Sequence, residues 1–207
     1  MQKHPAEAAV PLLLHACCGP CATHCIGELR RGGYQPVLCY ANDNLADAAE
    51  YEKRLAALRK LAEAEEVELL VVEYDHDAWL ESIEGLETEP EGGRRCEACF
   101  RHNFRRVLQL ALERGYGGFA STLTVSPHKR SVQVFEAGRE VAESGGDGDS
   151  GDGGSGVMPA FIECDFKKRD GFRQSLELTR KYGLYRQSFC GCEFSRREGK
   201  RRMKEEG

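Results

Sequence analysis

No apolar run in this chain approaches the about 20 residues a helical membrane span needs. The run at 10–16 is too short for a secretion-signal core in the usual position, and it leads straight into cysteines. A membrane partner is therefore not expected, and a cytoplasmic location is. The phosphate loops of nucleotide enzymes are missing too. There is no GxGxxG, no GxxxxGK followed by Ser or Thr, and no Ser-Gly-Gly loop after the first strand-like segment. An overall positive charge is lacking as well: the net charge is −5. No internal repeat is present, so a solenoid is excluded.

Cysteine, by contrast, is abundant. The chain has 10. Seven fall in three tight groups: Cys17, Cys18 and Cys21 in CCGPC, Cys96 and Cys99 in CEAC, and Cys190 and Cys192 in CGC. The groups are roughly 70 and 90 residues apart, so only folding can unite them, unlike the ligands of a local zinc finger. In a reducing compartment such richness points to metal or redox chemistry rather than to a disulfide scaffold. Cys25, Cys39 and Cys164 stand alone and read as buried small apolar residues.

The charge is unevenly spread. Residues 41–91 carry 16 acids and four bases, 94–106 carry five arginines and one acid, and 166–207 carry 13 bases and six acids. Positive charge travels with the cysteines, which suits a polyanion such as RNA at the metal site.

The length, with 41% hydrophobic and 30% charged residues, suits one domain over 1–207. Strands are expected at 10–16, 36–41, 67–73, 118–122 and 158–163. Helices are expected at 21–31, around Tyr51 to Ala62, at 79–83 behind an Asp75 cap, at 100–112, from the Ser126-Pro127 start to about 142, and at 172–181. Residues 144–156 are almost wholly Gly, Asp and Ser and read as a flexible loop insertion. They lack the closing glutamate and flanking helices of a calcium-binding hand. Residues 196–207 form a basic tail. Alternating strands and helices predict an α/β fold with a mainly parallel, Rossmann-like sheet. The metal site belongs at the carboxyl ends of its strands, where the first strand delivers Cys17 and Cys18.

Seven thiols can serve two centres. In an extended chain Cys17 and Cys18 point apart, and Cys190 and Cys192 would crowd one ion. Splitting each close pair leaves Cys96, Cys99, one of Cys17/Cys18 and one of Cys190/Cys192 as four ligands for a [4Fe–4S] cluster. Cys21 and the two other partners then hold one adjacent metal ion with an open position. The alternatives are a closed zinc site of four cysteines with the rest to spare, or a redox dithiol formed by Cys18 and Cys21 in CGPC.

The blocks LLLHACCGPC, EPEGGRRCEACFRHNF, STLTVSPHK, DFKKRDGF and YGLYRQSFCGCEFS follow in this order. From residue 12 to about 195 the chain resembles the cobalamin-independent epoxyqueuosine reductases of the QueH family. Residues 40–45 differ from the family's asparagine-proline-asparagine segment, 144–156 is an addition, and Cys164 lies outside the family motifs. The resemblance implies reductive deoxygenation of epoxyqueuosine to queuosine in tRNA, the last step in making that base. It also implies an iron–sulfur cluster with a nearby metal ion. Losing the epoxide oxygen takes two electrons and protons, so an external electron donor is a required partner. Asp165, Asp170, His128 and Tyr185 are the candidate proton donors; alternatively, Asp170 caps a helix and His128 is an exposed first-turn residue. Arg94, Arg95, Arg101, Lys167, Lys168, Arg169 and Arg186 are candidate phosphate contacts. Tyr185 and Phe189 either stack on an anticodon base or wall the site. Two other functions fit the cysteines: an iron–sulfur tRNA thiolation enzyme, which would need ATP, and a zinc-stabilised RNA-binding module without catalysis.

Overall fold

The computed structural model describes residues 9–145 and 158–198. The Gly/Asp/Ser insertion lies outside the described residues from 146 on, and the basic tail from 199 on. Five strands, β1 (Val10–His15), β2 (Tyr34–Tyr40), β3 (Leu69–Val71), β4 (Gly118–Ser121) and β5 (Ala160–Phe161), form one sheet in the order β3-β2-β1-β4-β5. Every pairing is parallel. The strand order reverses between β1 and β4, and the crevice outside their carboxyl ends is where such sheets bind ligands.

Helices cover both faces. On one side lie α1 (Gly19–Arg31), α2 (Ala48–Glu65) and α6 (Gly171–Tyr182); on the other lie α4 (Arg94–Arg114) and α5 (Ser131–Ser144). Leu12 and Leu14 of β1 enter the first core with Leu38 and Tyr40. Leu13 enters the second with Val37, Cys39 and Phe104. Burial on both faces explains why β1 reads as an unbroken apolar run rather than an alternating one. A third apolar cluster joins Trp79, on the short α3 (His76–Ser82), to Ala98, Cys99 and Cys192.

Two of the differences in element boundaries bear on the site. Helix α4 begins at Arg94, six residues before the expected start, so the CEAC pair sits on its first turns. The periodic apolar pattern becomes visible only at Phe100, because the first residues of the helix are mainly cysteines and charged residues. Ser126-Pro127 does not open α5, which starts at Ser131. Residues Thr122–Val125 make a 3-10 turn, and the Ser126 hydroxyl accepts from the His128 amide in a further turn (3.2 Å). That turn carries Lys129 inward, where it is 8% exposed.

Candidate metal centre and active site

β1 ends at His15, a buried side chain that ties three strand ends together. Its Nε2 lies 3.1 Å from the Ala41 carbonyl and its Nδ1 lies 3.0 Å from the Ser121 hydroxyl. A carbonyl only accepts, so Nε2 carries the proton and Nδ1 accepts from Ser121. Burial lowers the His15 pKa and keeps the ring neutral. The chain then turns into α1 with Cys18 as its extended N-cap residue and Pro20 in the first turn. The Cys17 amide donates to Thr122 Oγ1 (3.3 Å), pinning the cysteines to the end of β4.

The sulfurs of Cys17, Cys18 and Cys21 lie within 4.8 Å of one another, the one such group of potential ligands among the described residues. Cys17 and Cys18 therefore do not point apart. Their sulfurs are 3.8 Å apart. Two sulfurs on one tetrahedral ion, each at about 2.3 Å, would be separated by about the same distance. Cys17 and Cys21 both lie against the Cys18 sulfur. Those contacts hold the Cys18 thiol well below its ordinary range, push Cys17 up to about 12 and raise Cys21. Gln187 Nε2 donates to the same Cys18 sulfur at 3.0 Å, while its Oε1 is buried with no partner. Three sulfurs this close together can be served by one cation, which displaces their protons on binding.

The other four clustered cysteines form a second group. Cys99 feels the charge of Cys190, Cys96 and Cys192, and Cys96 feels both Cys190 and Cys192. The group is more open than a single ion requires, since no three of these sulfurs meet the spacing of the first group. Each sulfur has an N–H donor. Gly92 N serves Cys96 (3.2 Å), Asn103 Nδ2 serves Cys99 (3.8 Å), Lys129 Nζ serves Cys190 (3.3 Å) and Ser195 N serves Cys192 (3.4 Å). Trp79 is fully buried, its indole nitrogen has no hydrogen-bond partner, and it lies close enough to Cys99 to favour a thiolate there. Burial nevertheless raises the thiol pKa of Cys96, Cys99 and Cys192. Donors aimed at sulfurs that burial keeps protonated make physical sense when a metal takes the protons' place. The residues present thus fit a multi-iron cluster.

Residues 187–192 strap the two groups together. Arg54 of α2, 2% exposed, donates to the carbonyls of Cys190 (2.8 Å) and Phe189 (3.1 Å) and pairs with Glu50 (2.7 Å). It also feels the charge of Cys18 and Cys17. Between the last two cysteines, Gly191 has φ +129, and a Cβ there would fall 2.2 Å from Leu45 Cδ2. Gly191→Ala is accordingly expected to cost about 1–3 kcal/mol of backbone strain. Its iron and sulfide content should fall at the same time. Denaturant unfolding and metal analysis check both; full metal content at wild-type stability would contradict this account of the strap.

A model of the family described as epoxyqueuosine reductase QueH matches residues 12–198. The chain belongs to this family. The epoxyqueuosine reductase QueH of Streptococcus pyogenes serotype M1 is 32% identical, over 89% of this chain and 69% of the relative. Those of Acinetobacter baylyi and Thermotoga maritima are 31% and 28% identical, covering 84% and 89% of their lengths. Among solved structures, the U34-tRNA thiolase NcsA from Methanococcus maripaludis, with its [4Fe-4S] cluster, superposes with a TM-score of 0.50 at 15% identity. The match covers 92% of this chain and 62% of the thiolase. At that identity the likeness concerns the fold, an α/β parallel sheet, which agrees with the class expected from the sequence.

Within the QueH frame the other candidate residues separate. Tyr185 donates to Glu50 Oε2 (2.7 Å) and so joins the Glu50–Arg54 chain that reaches the strap. Asp165 accepts from the Ser131 hydroxyl (3.0 Å) at the start of α5. His128 and Asp170 are exposed, and Asp170 makes no side-chain cap; it pairs with Arg173 at 3.4 Å. Of the basic residues, Arg95 is not a surface group. It is 2% exposed, pairs with Glu198 (2.8 Å) and lies over the Phe194 ring. Lys167 donates to the Lys129 carbonyl (2.5 Å), Arg169 pairs with Glu28 (2.5 Å) and Arg101 with Glu140 (3.2 Å). Arg94, Lys168 and Arg186 are exposed. The Arg54 and Arg196 guanidiniums each lie 5.4 Å from the centre of the Phe189 ring. Cys164 is half-buried rather than buried, and it lines a cavity with His24.

Sequence reading missed Arg54, Glu50, Lys129 and Gln187. The first two lie in a strongly charged helix, where nothing marks a buried pair. Asp43, in the segment that departs from the family pattern, was also hidden. It is buried, 2.9 Å from His102 Nε2 and 3.3 Å from Arg106 Nε. Its neighbour Asn44 accepts from Asn103 (3.0 Å), the residue beside Cys99.

Proposed function

We propose that this chain reduces epoxyqueuosine to queuosine in tRNA, in the cytoplasm, with electrons from an external donor. In this reading Cys96, Cys99, Cys190 and Cys192 hold a [4Fe–4S] cluster, and Cys17, Cys18 and Cys21 hold one metal ion, expected to be iron. When bound, the two centres supply single electrons and a Lewis-acid position. The observation that carries the reading is the pairing of a three-thiol group with a donor-lined four-thiol group at the strand-order reversal, in a chain of the QueH family.

The protein's own residues bind, orient and supply a proton. Thr122 holds Cys17 in place and Gln187 holds Cys18. The unpartnered Gln187 Oε1 suits a substrate hydroxyl. Tyr185 is the donor best connected to the site. Burial and the Glu50 carboxylate raise its pKa, so the hydroxyl proton remains at Oη until it is needed. Arg186 and Lys168 offer exposed charge for tRNA phosphates. No helix among the described residues is long and apolar enough to cross a membrane.

The test is mass spectrometry of tRNA nucleosides from cells lacking the gene. Epoxyqueuosine should accumulate and queuosine disappear, and a plasmid copy should restore both. Unchanged queuosine would overturn the proposal; loss of a thiolated nucleoside instead would favour thiolation.

A further inference from the structure

Lys129 is a buried ammonium that the reaction scheme above does not use. A buried lysine is uncommon unless its charge is met. Here the Nζ has a carboxylate, Glu91 Oε1, at 3.1 Å and the Cys190 sulfur at 3.3 Å, and it lies 5.9 Å from the centre of the Phe100 ring. The turn at 126–129 holds it there, because the Lys129 amide donates to the Ser126 carbonyl (3.3 Å) and its own carbonyl accepts from Lys167. The N–H donors at the other three sulfurs are two backbone amides and an asparagine amide, all neutral. Lys129 is thus the one charged donor hydrogen-bonded to a sulfur of this group among the described residues. We infer that Lys129 is a positioning residue that sets the reduction potential of a cluster held by Cys96, Cys99, Cys190 and Cys192. The inference rests on the cluster assignment proposed above.

The physics is direct. When a reductant gives up one electron to a cluster, the cluster becomes one unit more negative. A fixed positive charge donating to one of its sulfurs favours the reduced form and raises the potential. Glu91 works the other way, because it neutralises part of the Lys129 charge. The pair would let the protein place the potential without altering a ligand.

The experiment uses the full chain, reconstituted anaerobically with iron and sulfide, and titrates the cluster with dithionite and mediators under electron paramagnetic resonance. Lys129→Met should lower the midpoint by at least about 59 mV, a tenfold change in a one-electron equilibrium. Lys129→Arg should stay near wild type, and Glu91→Gln should move the midpoint upward. An unchanged midpoint in Lys129→Met at full iron content overturns the inference. If Lys129→Met fails to hold the cluster, Glu91→Gln decides, since all ligands and the lysine remain; an unchanged midpoint there overturns it equally. A wild-type chain that takes up no iron and sulfide refutes the cluster assignment itself, and metal analysis reveals that before any titration.

Discussion

Cys21→Ala is expected to keep its cluster absorption and to lose conversion of epoxyqueuosine by at least about a hundredfold. That figure is the upper end of what loss of a mere supporting contact costs a metal site, and a lost ligand should cost no less. The argument is one of grouping. Cys21 sits on the first turn of α1 with its sulfur within 4.8 Å of those of Cys17 and Cys18. Its removal leaves two thiols and an emptied or weakened single-ion site. It touches none of the donors that serve Cys96, Cys99, Cys190 and Cys192. The absorption near 400 nm, a rough expectation for iron–sulfur clusters, should therefore persist, with about four irons per chain. Cys21→Ser is the weaker variant, because a serine oxygen retains some affinity. Loss of the cluster absorption in Cys21→Ala would move Cys21 into the other group and overturn the division.

The reciprocal substitution strikes the other centre. Cys99→Ser should abolish the cluster, leaving protein that is colourless after anaerobic reconstitution. Cys99 is walled by Trp79, Ala98 and Cys192, and a serine oxygen there is shorter and harder than the thiolate it replaces. The weaker oxygen ligand would also open one corner to oxidation. Far-ultraviolet circular dichroism should stay close to wild type, since Leu13, Phe104 and Phe119 of the core behind α4 are untouched. Iron and sulfide are quantified together; full content of both would remove Cys99 from the ligand set. Failure of both substitutions to separate the centres would mean that the two thiol groups do not hold independent centres.

Much of this architecture was legible because parallel strands buried on both faces announce themselves as short apolar runs, as residues 12–14 and 37–40 do. The last helix, expected at 172–181, is α6, which is capped at its end by Gly183 in the left-handed region (φ +57). What stayed hidden has one physical origin: local signals do not report tertiary contacts. Ser126-Pro127 has the composition of a helix start, yet the chain there spends its turn on delivering Lys129 to Cys190. The close cysteine pairs were expected to divide, on the rule that neighbours in extended chain face opposite ways. A turn at the switch point between β1 and β4, anchored through Thr122, brings Cys17 and Cys18 together instead. Arg54 and Glu50 lie four apart on α2 and look like any solvent-facing pair; only the strap laid over them makes them buried.

That strap has a consequence for how the protein is made. The three-thiol group is set by the first strand-helix unit and the end of β4, with Gln187 of the strap donating to Cys18. The four-thiol pocket cannot close until residue 192 has left the ribosome and Arg54 has caught the carbonyls at 189 and 190. A chain that stops before residue 190 therefore has only Cys96 and Cys99 of this group, both on α4. Through Arg54, completion of the four-thiol group depends on a segment 135 and 136 residues further along the chain.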